Sequence, residues 1–89
     1  MESKHIRSFE IEHTKFSLES RRGLVYLQSL HPYDDHEYHW AARDTDGGWR
    51  VFKGDRYRMR LAPMEPEAAA EKLLACDRAH RALLESFGI

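Results

Sequence analysis

Residues His31-Pro32-Tyr33-Asp34-Asp35-His36-Glu37-Tyr38-His39-Trp40 place three histidines and three acids within ten positions. These are the donor types from which a divalent-metal site or an acid–base cluster is built. Their spacing works against convergence, because successive side chains of a strand point to opposite faces and His36 and His39 are an odd number apart. His31 lies beyond Pro32. Only a bulge at Asp34-Asp35 would gather His31, an aspartate and one further histidine. The plainer reading is a hydrated connection in which an aspartate closes an Asx-type turn. No metal ligand and no cofactor is assigned.

His80 and Cys76 stand one turn apart near the C-terminus. With no nucleophile, base and orienting acid placed together by spacing, His80 reads as a buried neutral imidazole bonded to backbone or tyrosine. Cys76 reads as a small core residue. The sequence contains no Gly-rich phosphate loop, paired-carboxylate motif or CxxC unit, so no catalytic residue is assigned. A small histidine-based, metal-dependent enzyme ranks last among the functions considered.

A third group is richer. Tyr38, Trp40, Trp49, Lys53, Arg56, Arg58 and Arg60 mix aromatic rings with cations over a short span, and the elements that carry them decide whether they act together. "IRSFEIEH" alternates and "KFSL" resumes the alternation, which reads as one strand bent at Thr14. "ESRRG" is a turn cluster, "LVYLQSL" a central strand ended by Pro32. Alternation returns from His36 to Arg43, then in "WRVFK" and "RYRMRL". Asp46-Gly47 suits a two-residue type I′ turn and Gly54-Asp55 a type II′ turn.

After Pro63 the period changes to 3.6. Ala69, Leu73, Cys76, His80, Leu83, Leu84 and Phe87 fall within a narrow arc, with Pro66 suited to the first turn and Gly88 to the C-terminal cap. Ala68, Ala75, Ala79, Ala82 and Ser86 form a flanking stripe of small residues. The expected architecture is a single α+β domain over residues 1–89: an antiparallel β-meander of about five strands (about 5–61) with one long C-terminal α-helix (about 66–87) packed on one face.

Composition bounds the rest. A chain of 89 residues with 42% hydrophobic and 33% charged content is one ordinary globular domain, and at this size it hides only about 60% of its unfolded surface. A single cysteine allows no internal disulfide, and no apolar run resembles a signal peptide or membrane span. A cytoplasmic protein with no membrane partner is expected. The formal charge of −1 provides no global attraction to a polyanion.

If both turns have two-residue loops, the register follows. One face collects Tyr38, Trp40, Ala42, Trp49, Val51, Lys53, Arg56, Arg58 and Arg60. The other collects His39, Ala41, Arg43, Arg50, Phe52, Tyr57, Met59 and Leu61, and has the more core-like composition. Aromatics on both faces and a single helix to cover them imply a surface left for a partner. The leading expectation is a non-catalytic protein-interaction module using Tyr38, Trp40, Trp49, Lys53, Arg56, Arg58 and Arg60. It would be of the size and type of small adaptors, antitoxins or phage-encoded inhibitors, and would bind another protein or a second copy of itself. The alternative is a nucleic-acid-binding domain using the same face for base stacking and phosphate neutralisation.

Overall fold

The computed structural model describes residues 4–30 and 38–88. Its elements run β1 (Lys4–Ile11), β2 (Thr14–Arg21), β3 (Leu24–Ser29), β4 (His39–Arg43), β5 (Trp49–Lys53), β6 (Arg56–Leu61) and α1 (Pro66–Ser86). The six strands form one sheet in the order β1-β2-β3-β4-β5-β6, antiparallel throughout, with α1 on one face. The α+β meander is the architecture the sequence implies, with one strand more.

The extra strand comes from a turn at Glu12-His13, where both residues adopt positive φ (49° and 67°) and Ile11 pairs with Thr14. Paired positive φ values match the right-handed twist of the flanking strands. Positive φ is uncommon outside glycine, so "EIEHTK" carries no punctuation. The parity change does: the apolar positions are odd through Phe9 and Ile11, then even from Phe16 and Leu18. A two-residue turn produces that switch while keeping all four side chains on one face.

That face holds the core. Phe16, Leu18, Leu27, Ala41, Trp49 and Val51 from the sheet meet Ala69, Ala70 and Leu73 from the helix, with Phe9, Ile11, Val25, Leu61, Met64 and Leu74 packed around them. Phe9 stacks on Phe16 at 5.8 Å between centroids. Trp49 is the largest fully buried side chain, and its indole N–H donates to the Met64 carbonyl at 3.0 Å, tying the segment entering the helix to β5.

The β4–β5 connection differs from the two-residue turn expected. Arg43 pairs with Trp49, leaving the five residues 44–48 as the loop. Asp44 N–H donates to the Gly48 carbonyl (2.8 Å) and Gly47 N–H to the Asp44 carbonyl (3.0 Å). Asp46 Oδ1 accepts Gly48 N–H at 2.8 Å, an Asx turn that closes the five-residue loop. Gly48 is a glycine for lack of space: a Cβ there would lie 2.8 Å from the Leu61 carbonyl oxygen.

The one-residue change in register moves side chains between faces. Trp40 opposes Phe52, Ala41 opposes Val51 and Ala42 opposes Arg50. The expected pairing of Trp40 and Trp49 on one surface is therefore corrected. Trp49 and Val51 join His39 and Ala41 beneath the helix, while Trp40 and Ala42 join Arg50 and Phe52 on the opposite side. At the β5–β6 turn Lys53 pairs with Arg56 around Gly54 (φ 58°) and Asp55, as expected. A bulge then leaves Arg58 without an opposed residue, since Phe52 pairs with Tyr57 and Val51 with Met59.

The helix also departs from its expected burial. Twenty-one residues rise about 31 Å, more than strands of five to eight residues can underlie at about 3.3 Å each. Ala69 and Leu73 are buried and Cys76 and His80 half-buried, but Leu83 and Phe87 are 54% and 69% exposed. The small-residue stripe is exposed at Ala75, Ala79, Ala82 and Ser86. Gly88 (φ 74°) ends the helix, its N–H donating to the Glu85 carbonyl at 3.0 Å.

The two tryptophans should therefore behave differently. Trp49→Ala is expected to cost about 3–5 kcal/mol in urea denaturation, and Trp40→Ala less than half as much. Gly48→Ala should cost about 1–3 kcal/mol by displacing the Leu61 backbone. An unchanged urea midpoint for Gly48→Ala would refute the close approach.

Candidate functional site

Opposite the helix, aromatic side chains form a row across four strands. Tyr26 of β3 lies 6.0 Å from Trp40 of β4, Trp40 stacks on Phe52 of β5 at 4.6 Å and 14°, and Phe52 meets Tyr57 of β6 edge-on at 5.7 Å. These spacings are those of favourable offset and edge-to-face ring pairs. The row arises from pairing: Trp40 directly opposes Phe52, and Phe52 opposes Tyr57. Tyr26, which opposes Ala42, reaches Trp40 diagonally, a step long side chains span. Arg21 of β2 caps the row, its guanidinium 5.2 Å from the Tyr26 centroid. Tyr26, Trp40 and Phe52 are half-buried and Tyr57 is 56% exposed. The Trp40 indole N–H is committed to the Gly54 carbonyl at 2.7 Å, which fixes the ring's orientation.

Beside the row lies a hollow of about 440 Å³ walled by Tyr26, Tyr38 and Trp40, with Arg21, Gln28 and Asp55 at its margins. Glu19 lies 3.6 Å from Arg21 and accepts from the Gln28 amide at 3.3 Å.

Two arginines on this face, Arg50 and Arg60, are met by carboxylates. Arg50 Nε lies 2.9 Å from Asp44. Arg60 bonds Asp46 and reaches Asp44 at 3.4 Å. The Gly48 N–H, followed by Arg60, holds the Asp46 carboxyl below its ordinary value of 3.8, and the same carboxylates raise Arg60. At these exposed groups solvent screens the pairs, and their effect is local.

The residues expected to act together are therefore divided. Tyr38, Trp40 and Arg60 lie on or beside the open face. Trp49 is in the core. Lys53 lies on the helix side, where its Nζ donates to His80 Nε2 at 2.9 Å, so His80 has a lysine among its partners. Arg56 and Arg58 are exposed on the edge strand. Tyr26, Phe52, Tyr57 and Arg21 belong to the row but were not among the expected residues. Tyr26 lay in an almost continuous apolar run, and Phe52 and Tyr57 were assigned to the core by the shifted register. The available signal was that a five-residue loop brings Trp40 opposite Phe52.

Of the three histidines in the opening stretch, His31 and His36 lie outside the described residues. His39 is buried at the start of β4. Its Nδ1–H donates to Asp77 Oδ1 at 2.5 Å and its backbone N–H to the same oxygen at 3.2 Å, so a helix carboxylate clamps the strand. Among the described residues no group of three His, Cys, Asp or Glu side chains is placed to hold a metal ion. Burial, then the neighbouring Asp77, pushes the Cys76 thiol up, with Arg58 partly opposing. No helix among the described residues is long and apolar enough to cross a membrane.

A depressed carboxyl stabilises the folded form above its unfolded value and loses that contribution as pH falls through its folded value. For Asp46 the loss is expected below pH 3.8. An NMR titration should show the Gly48 amide moving in that range, and Asp46→Asn should abolish the movement.

No known protein family, curated protein or solved structure matches the chain.

Proposed function

We propose that the chain is a non-catalytic protein-interaction module that receives its partner on the open sheet face, across Tyr26, Trp40, Phe52 and Tyr57. The observation carrying this reading is the continuous ring row on a face that no helix covers among the described residues. Rings packed against one another lose little conformational freedom on binding, and Trp, Tyr and Arg are the side chains that dominate protein interfaces. Around the row, Arg21 with Glu19, Arg50 with Asp44, and Arg60 with Asp46 form a polar, charge-balanced margin, the usual anatomy of such an interface.

The same charge balance weighs against nucleic acid. Base stacking and phosphate neutralisation need rings and uncompensated cations on one surface. Here the arginines beside the rings face carboxylates, while Lys53, Arg56 and Arg58 lie on the helix side or the edge strand. Catalysis also has little support in the side chains: His39, held by Asp77, is buried, and the Cys76 thiol is pushed away from its nucleophilic form.

The test is capture of a partner from the source cell by the tagged full chain, compared with Tyr57→Ala, Trp40→Ala and, as a control on the opposite side, Phe87→Ala. Partner binding should fall about tenfold or more in the two face variants and stay unchanged in the control. Light scattering distinguishes a second copy of the chain from a different protein. Binding that survives both face variants, or single-stranded DNA or RNA binding that weakens steeply between 50 and 200 mM salt and depends on Arg56 and Arg58, would refute the proposal.

A further inference from the structure

The hollow beside the ring row has a chemistry that narrows what the partner must present. We infer that it receives a cationic side chain, a lysine or an arginine, of the partner protein; this rests on the reading of the open face as a protein-binding surface. Aromatic faces carry negative electrostatic potential and attract cations placed over them. Tyr26, Tyr38 and Trp40 all border the same 440 Å³, enough for an ammonium or guanidinium group and the stem that carries it.

The charges at the margin match such a group. Asp55 is exposed, at the tip of the β5–β6 turn, and no cation among the described residues forms an ion pair with it. The charge of Arg21 is already met by Glu19. The hollow's own lining therefore has one carboxylate to spare, complementary in sign to a cation, while on its other side Asp55 borders a second hollow lined by Lys53, Arg56 and Arg58.

The chain itself shows the interaction. Arg21 stands over the Tyr26 ring at 5.2 Å, occupying one wall as an incoming guanidinium would. Its side chain is 48% exposed and its carboxylate contact is long, so little holds it in place. Arg21 is an internal competitor that the partner's cation displaces. This gives two substitutions with opposite effects: losing Arg21 vacates a wall and leaves the Glu19 carboxylate without its partner, whereas losing the Asp55 charge removes attraction.

The full chain is titrated with tetramethylammonium chloride and with blocked Gly-Ser-Lys-Ser-Gly, its Arg counterpart and its Glu counterpart. The Trp40 indole N–H resonance is followed, with that of Trp49 as an internal reference. Tetramethylammonium and the Lys and Arg peptides should shift Trp40 saturably and leave Trp49 unmoved, and the Glu peptide should not shift Trp40. Asp55→Asn should weaken binding about two- to fivefold, and Arg21→Ala, or Arg21→Gln, should strengthen it by a similar factor.

No saturable shift, equal affinity in wild type and Asp55→Asn, weaker binding in both Arg21 variants, or preferential binding of the Glu peptide, as a dominant field from Arg56 and Arg58 would give, would each overturn the cation site. If partner capture still depends on Tyr57 and Trp40 while the cations fail to bind, the cation site falls and the interaction face stands. If the cations bind but capture ignores the face, the reverse holds.

Discussion

One helix can cover only one face of a six-stranded sheet, and the rest of the molecule is arranged around that limit. The core lies on the covered face, where Phe16 and Leu18 of β2, Leu27 of β3, Ala41 of β4 and Trp49 and Val51 of β5 point inward and the helix meets them with Ala69, Ala70 and Leu73. Small residues at two of those positions bring the helix axis close to the strands. Trp49 then fills the space beneath the chain leading into the helix, while its bond to Met64 satisfies the one polar group a buried indole carries. Farther along, His39 and Asp77 join strand to helix. Beyond His80, which Lys53 of β5 still reaches, the helix outruns the sheet, and Leu83 is exposed, as is Phe87 just past the helix end.

The open face obeys a different rule. Half-exposed rings are stabilised by each other, so a row of four can persist at a surface where isolated rings would gain less. The β4–β5 loop makes the row possible, because the Asx turn at Asp46 sets Trp40 opposite Phe52. The same loop supplies Asp44 and Asp46 to the arginines of β5 and β6, neutralising the part of the sheet farthest from the hollow. Loop geometry, ring stacking and charge balance are thus one local solution. At the opposite end of the strands Asp55 borders the aromatic hollow on one side and a hollow lined by Lys53, Arg56 and Arg58 on the other.

Much of this was legible residue by residue. The change from a period of two to a period of 3.6 after Pro63 located the helix, Pro66 and Gly88 marked its ends, and Gly54-Asp55 marked the last hairpin. The Glu12-His13 turn was harder to read because neither residue favours positive φ, although the shift from odd to even apolar positions recorded it. The site was less legible than the fold. Alternation held within β3, β4 and β5, but in β6 the bulge at Arg58 turned Tyr57 and Met59, expected on one face, to opposite faces; combining strands into a face also requires the register, and register depended on whether a loop contained a two-residue turn or five residues closed by a side-chain hydrogen bond.

By itself the sequence determined the order of strands and helix and, from β3 to β5, which side chains of a strand lie together, because alternation and helical period are properties of the local chain; the β1–β2 turn and the β6 bulge lay outside that reach. It also determined that apolar rings outnumber what one helix can shield. Tertiary structure alone decided which rings meet: Trp49 went under the helix and Trp40 joined Tyr26, Phe52 and Tyr57 because Gly48 is pressed against the Leu61 backbone and Asp46 closes its loop around it. Those contacts link strands through space, and no periodicity within a single strand encodes them.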